Sequence, residues 1–197
     1  MKKRLLISMS LMTFLQAGSL PNTTPMSEPI SIKSINYLNN FYLGVGYTQF
    51  KTFTPIEHLH ANSATLIAGY HINDYLSIET RYTKSIEDLS YKSTIKTTDI
   101  DSTYSNLAIF TKFSYQIDDF KPYLLLGYGK NRITKLANIT RIENSIEYGT
   151  GLEYKLNSNF SINLDYIRAY NKKGFDGRAR NQKVKINLIT ASITYNF

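Results

Sequence analysis

The chain contains no cysteine and no tryptophan, and only five prolines in 197 residues. Without cysteine there is no disulfide framework, no thiolate metal site and no thiol nucleophile. Histidine is almost as scarce, which confines imidazole chemistry to His58, His60 and His71. Long apolar runs are missing too. No stretch reaches 18 consecutive apolar residues, so no transmembrane helix is expected. No long segment repeats apolar residues at helical spacing. Phosphate-cradling glycine motifs, zinc signatures and a His-x-Ser pair are all lacking. An enzyme is therefore not expected, and no cofactor is implied.

What remains favours strands. There are 16 Tyr and 10 Phe, with many Ile, Thr and Asn. The start is a different kind of segment. Lys2, Lys3 and Arg4 precede an apolar stretch from Leu5 to Leu15, followed by Ala17-Gly18-Ser19. Positive, apolar and small-residue segments in that order define a secretory signal, here residues 1–19. Its removal takes away three cations and lowers the formal charge from +8 to +5. Residues 20–40, with three prolines and many small polar residues, are expected to be a flexible leader.

From Phe41 the chain is rhythmic. "GYHINDYLSIETRY", "SYQIDDFKPYLLLGY" and "EYKLNSNFSINLDY" share one pattern: an aromatic, an aliphatic, turn-forming residues, an aromatic, then alternation. The patterns place tight hairpin turns at Asn73, Asp118 and Asn157, roughly forty residues apart. Eight strands follow, near 41–50, 64–71, 75–86, 104–116, 121–130, 144–155, 160–170 and 185–197. Long polar loops are expected between them at 51–63, 87–103, 131–143 and 171–184.

Each strand has two faces. Ile162, Leu164 and Tyr166 oppose Ser161, Asn163 and Asp165; Ile146, Tyr148, Leu152 and Tyr154 oppose Glu147, Gly149, Gly151 and Glu153. A soluble sandwich or barrel turns the apolar face inward, and a membrane barrel turns it outward to lipid. Here the polar face carries seven glycines, among them Gly44, Gly69, Gly127 and Gly151. Glycine weakens a strand but makes room, and a narrow lumen needs room. Short turns and long segments also segregate to opposite ends, and Tyr and Phe cluster near strand ends. The reading is all-β: an eight-stranded antiparallel transmembrane β-barrel over 41–197, with short periplasmic turns, longer extracellular loops and both termini periplasmic.

The last residues, "TASITYNF", keep period two to Phe197. With "FYLGVGYTQF" and "KPYLLLGYGK" they resemble small bacterial outer-membrane barrels of the OmpA/OmpX-like family. The resemblance implies a bacterial outer-membrane location. It also implies that Ile193, Tyr195 and Phe197 form the signal read by the barrel-assembly machinery. No peptidoglycan-binding domain follows the barrel, so periplasmic anchoring is not expected.

Two sets of charged residues are candidate sites. Glu79, Arg81, Lys112, Glu147, Glu153, Lys155 and Asp165 share the polar faces and are expected to form a lumen ion-pair network, because buried charges must be paired. A proton or ion path is the alternative. Lys172, Lys173, Arg178, Arg180, Lys183 and Lys185 meet only Asp176 in the last loop. Such a cluster attracts polyanions. At this surface these are lipopolysaccharide phosphates or an extracellular polyanion, and nucleic acid is not expected. "EHLH" puts His58 and His60 beside Glu57 with no further ligand, so no metal site is assigned. The function expected is a structural or surface-interaction role in the outer membrane, in contact with its lipid. The alternatives are a narrow porin-like channel and, last, a lipid A-modifying enzyme.

Overall fold

The computed structural model describes residues 40–53, 58–92, 97–136, 139–175 and 178–197. They form ten strands: β1 (Phe41–Phe53), β2 (His58–His71), β3 (Leu76–Ser85), β4 (Leu89–Lys92), β5 (Thr97–Ile100), β6 (Thr103–Ser114), β7 (Phe120–Leu136), β8 (Ile139–Lys155), β9 (Phe160–Phe175) and β10 (Arg178–Asn196). Eight of them close an antiparallel barrel, because β1 pairs with both β2 and β10. The closing seam runs from Tyr42↔Asn196 to Phe53↔Lys185. The backbone of Phe197 then donates to the Phe41 carbonyl (3.1 Å). Closure leaves the eight-stranded wall without an edge, as lipid requires.

The three expected turns are present. The Asn73 side chain accepts from the backbones of Tyr75 and Leu76, and Asn157 does the same for Asn159 and Phe160. Asp118 adopts the left-handed conformation, with φ at 52°, which Asp tolerates better than most residues. These turns and the two ends of the barrel chain gather at one rim, the short-turn rim.

The wall is inverted relative to a soluble protein. Leu43, Val45, Leu66, Ile78, Leu107, Ile109, Leu124, Leu126, Ile146, Leu152, Ile162, Leu164 and Ile193 are all exposed on the outer face. Two girdles of aromatics bound this band. Phe41, Tyr75, Tyr115, Phe120, Tyr154, Phe160 and Tyr195 lie toward the short-turn rim, and Tyr47, Tyr82, Tyr128, Tyr148 and Tyr166 lie toward the other. Inside, Thr48, Ser63, Thr65, Glu79, Arg81, Lys112, Glu147 and Asp165 are buried. This arrangement suits lipid outside and a filled polar lumen inside.

The expected long loops are largely strand. β1 continues to Phe53, β2 starts at His58, and β7 to β10 run through most of 131–143 and 171–184. The short hairpin β4–β5 occupies part of 87–103 and pairs with β2 from His58↔Lys92 to His60↔Ser90. These extensions look polar only when both faces are averaged. Their inner side includes Leu59, Leu89, Ile133 and Val184, which join Phe50, Tyr104, Tyr170, Ile186 and Leu188 in one buried cluster. Phe50 stacks on Tyr104 with ring centroids 4.0 Å apart. An apolar plug thus fills the lumen toward the far rim.

One irregularity shapes that end. Along β9 the register passes from Ile186↔Tyr170 to Asn187↔Arg168, which leaves Ala169 as an extra residue. The bulge turns both Ala169 and Tyr170 inward, as bulges re-aim side chains.

Glycine matters most where Tyr42 and Tyr123 lie across the barrel wall. Tyr42 pairs with Gly69 and Tyr123 with Gly151. A Cβ on Gly69 would stand 2.1 Å from the Tyr42 ring, and one on Gly151 2.3 Å from the Tyr123 ring. Each ring rests on a bare backbone. Gly69→Ala is expected to displace Tyr42 and lower unfolding stability by about 1–3 kcal/mol. Urea titration of the barrel folded into vesicles checks this, and an unchanged midpoint would show that the ring has other room.

Candidate functional site

The polar lumen is organised in layers. Nearest the short-turn rim, His71 hydrogen-bonds Ser77 (2.8 Å) and Asn196 (3.2 Å) and packs against Tyr42. Just inside, Lys112 donates to Glu153 (2.9 Å), with its ammonium 4.2 Å from the centre of the Tyr123 ring. Next comes Arg81. Its Nη1 donates to both Asp165 oxygens (2.9 Å each), and its Nε donates to Glu79. The Tyr42 hydroxyl donates to Glu79 (2.7 Å) and that of Tyr123 to Asp165 (2.9 Å). Each carboxylate therefore receives a guanidinium N–H and a phenol O–H, both charge-assisted bonds. A row of hydroxyls, Thr190–Thr48–Thr65–Thr83, continues the polar lining across four strands.

Above these layers amides replace the cations as partners. Glu147 Oε1 accepts from Asn106 (2.7 Å) and Asn131 (3.2 Å), and Tyr104 donates to Asn131 (2.6 Å). Asn131 also donates to the Ala169 carbonyl (3.1 Å), holding the bulge in place. The apolar plug lies beyond. Salt bridges, amides and aromatic rings occupy successive levels of the lumen.

Of the seven charges expected in one network, five meet in two groups: Glu79–Arg81–Asp165 and Lys112–Glu153. The other two differ from expectation. Glu147 is buried but bonded by amides rather than by a cation. It lies six residues from Glu153 along β8, about 20 Å at the usual rise. Lys155 is exposed at the end of β8; it is still paired with Ser161 but stands at the short-turn rim, where the lumen ends. Tyr42 and Tyr123 complete the network and were not singled out from sequence. The signal existed: both share strand phase with glycines (Tyr42 with Gly44 and Gly46, Tyr123 with Gly127 and Gly129), which marks an aromatic facing inward.

The outer face carries a second set of charges, just beyond the far girdle. Lys51 (β1), Lys84 (β3), Lys130 and Arg132 (β7), Arg168 and Lys173 (β9), and Lys183 and Lys185 (β10) alternate with inward residues around the barrel. Lys172 and Lys173 are exposed, as is Lys183, while Lys185 is half-buried. They stand on paired strands rather than on a loop. The side chains of Arg178 and Arg180 lie outside the described residues, as does that of His58; His60 is exposed. The short turns at the opposite rim carry Asp74, Asp118 and Asp119. The two rims thus differ in charge sign. Ile193, Tyr195 and Phe197 project from β10 on the outer face. Among the described residues, no group of three His, Asp or Glu side chains is arranged to hold a metal.

Residues 34–197 match the family model of the outer membrane protein beta-barrel domain. No curated protein matches the chain in sequence. Solved structures that share the fold include two from other outer-membrane barrels. Neisserial surface protein A superposes with a TM-score of 0.59 at 22% identity, covering 80% of this chain and 97% of that one. Ail, the attachment invasion locus protein of Yersinia pestis, gives 0.53 at 18% identity, covering 81% and 99%. Ail has also been solved in complex with the heparin analogue sucrose octasulfate, which gives 0.51 at 18% identity over 80% and 98%.

Proposed function

The chain belongs to the outer membrane protein beta-barrel domain family, and from that premise we propose that it is a surface-interaction barrel whose cationic outer belt contacts polyanions. Residues 1–19 direct export and 20–40 lead into the barrel. Ile193, Tyr195 and Phe197 present the strand that the assembly machinery reads. The short-turn rim and both termini face the periplasm, which puts the cationic belt at the outer leaflet. There the nearest polyanions are lipopolysaccharide phosphates, followed by extracellular sulfated or acidic glycans.

The observation that carries this reading is the ring of cations immediately beyond the far tyrosine girdle, on strands fixed by backbone pairing. Fixed cations attract anions without the cost of ordering a loop. Ail, which shares the fold, was crystallised with a sulfated heparin analogue. The layered lumen argues against the channel reading, because an ion would have to pass the Arg81 and Lys112 pairs and then the apolar plug.

The test has two arms. The folded barrel should be retained on immobilised heparin and released by salt, since surface electrostatics are screened. Neutralising Arg178 and Arg180 together with Lys130 and Arg132 to glutamine should lower the releasing salt concentration. In planar bilayers the protein should give no steady conductance steps. Retention that ignores both salt and charge would sink the polyanion role, and reproducible channels abolished by Arg81→Ala would establish a pore.

A further inference from the structure

Pairing between β8 and β9 runs only from Lys155↔Ser161 to Tyr148↔Arg168. Both strands continue well past that point toward the far rim. β8 goes on pairing with β7, and β9 with β10. The bulge at Ala169 separates them, and the wall there is joined by side chains. Asn131 donates to the Ala169 carbonyl across the inner side of the gap (3.1 Å). Lys172 donates to the Asn144 carbonyl (3.1 Å) and Asn171 to the Tyr148 hydroxyl (3.2 Å) across the outer side.

The outer face of this seam is built in rows. Thr150, Tyr166 and Ile189 pair across three strands at the top of the apolar band. Tyr148, Arg168 and Asn187 form the next row, and Asn171 pairs with Lys185 above it. The Arg168 guanidinium donates to the Tyr166 hydroxyl (2.7 Å). Three polar atoms in these rows are buried with no hydrogen-bond partner among the described residues: Arg168 Nε, Asn171 Oδ1 and Asn187 Oδ1. Groups left in this way cost free energy, and these three stand in two adjacent rows, Arg168 with Asn187 in one and Asn171 in the next. The donor, flanked by Lys172, Lys173, Lys183 and Lys185, calls for an anion. The acceptors call for hydroxyls. Glu143, on β8, shares the inner-face phase of Ser145 and Glu147.

We propose that the β8–β9 seam is a specific binding site for one phosphorylated glycolipid. Its phosphate lies on Arg168 and Lys185, its sugar hydroxyls bond Asn171 and Asn187, and its acyl chains follow Tyr166, Leu164 and Leu152 down the wall. Rotation about the flexible Arg168 and Asn187 side chains presents their unpartnered atoms. This deepens the proposed polyanion role and rests on it, including the orientation of the belt toward the outer leaflet. What it adds is a single stoichiometric site where the belt alone gives diffuse attraction.

The experiment equilibrates the full-length barrel in detergent with diphosphoryl lipid A, its dephosphorylated counterpart, or phosphatidylglycerol, and counts bound lipid by native mass spectrometry. One diphosphoryl lipid A per barrel is expected, with the dephosphorylated form lost. Arg168→Gln and Lys185→Gln should each weaken binding about tenfold, the usual size for one charge-assisted contact. Asn187→Leu, which changes no charge, should also weaken it. Lys155→Gln, an exposed cation at the opposite, short-turn rim, should keep the single lipid. Heat-modifiable gel migration confirms that each variant is folded. Equal binding by wild type, Arg168→Gln and Asn187→Leu overturns the seam. If heparin retention still depends on charge in those samples, the wider polyanion reading survives; if not, both fall. Phosphatidylglycerol held as tightly as lipid A overturns the glycolipid assignment.

Discussion

Replacing Arg81 with alanine is expected to destabilise the folded barrel by about 3–5 kcal/mol. The size follows from what is left behind. Arg81 is fully enclosed and serves two carboxylates at once, Glu79 and Asp165. Its removal leaves both buried, each keeping only a tyrosine hydroxyl. Two uncompensated charges within one lumen also repel each other. The penalty therefore belongs to the orphaned acids rather than to a missing attraction. The variant Arg81→Ala/Glu79→Gln/Asp165→Asn should recover most of the loss, because neutral amides can still accept from Tyr42 and Tyr123. Urea titrations in vesicles would measure both. If the single variant unfolds at the wild-type midpoint, the lumen holds enough water to solvate the acids, and the picture of a filled core is wrong.

Placing an arginine on the outer face should be nearly as costly, for a different reason. Leu164 is 59% exposed, on the lipid-facing side of β9 between the girdle residues Phe160 and Tyr166. On a soluble barrel, Leu164→Arg would be close to neutral, since the side chain would simply meet water. In a bilayer the same change should cost about 2–4 kcal/mol, because the guanidinium stands at the hydrocarbon midplane. The equivalent change at Tyr166, at the edge of the band, should cost much less. Folding yield and urea midpoint in vesicles of fixed thickness distinguish the two outcomes. A flat response along β9 would remove the case for a lipid-facing wall.

These two expectations come from opposite faces of the same strands, and the strands' alternation was legible without a structure. Every turn signal, at Asn73, Asp118 and Asn157, marks a real turn, because the two Asn side chains bond nearby backbone N–H groups and Asp118 tolerates the left-handed conformation. The segments near the far rim were harder to read. In "NKKGFDGRARNQKVK" the cations are conspicuous, while Val184, Phe175 and Tyr170 are few and out of step. The bulge at Ala169 shifts the phase by one residue, and a single-residue slip exchanges the faces. Read without that slip, the stretch has no period and resembles a loop. The network was legible only as a set. Strand phase says which charges face inward, whereas the height at which each sits depends on register between strands. Glu147 and Lys155 share a face in sequence with Glu153, yet one lies beside amides and the other is exposed at the rim.

The sequence alone determined that this chain alternates, turns at three marked places and sorts greasy from polar residues by face. Those are short-range properties, set by each residue and its neighbours two or three positions away. Tertiary structure alone decided that Arg81 meets Asp165, 84 residues distant, that Tyr42 and Tyr123 lie on glycines across the wall, and that β8 parts from β9. These depend on barrel closure and shear, which fix how far each strand slides against the next. No local pattern encodes that slide.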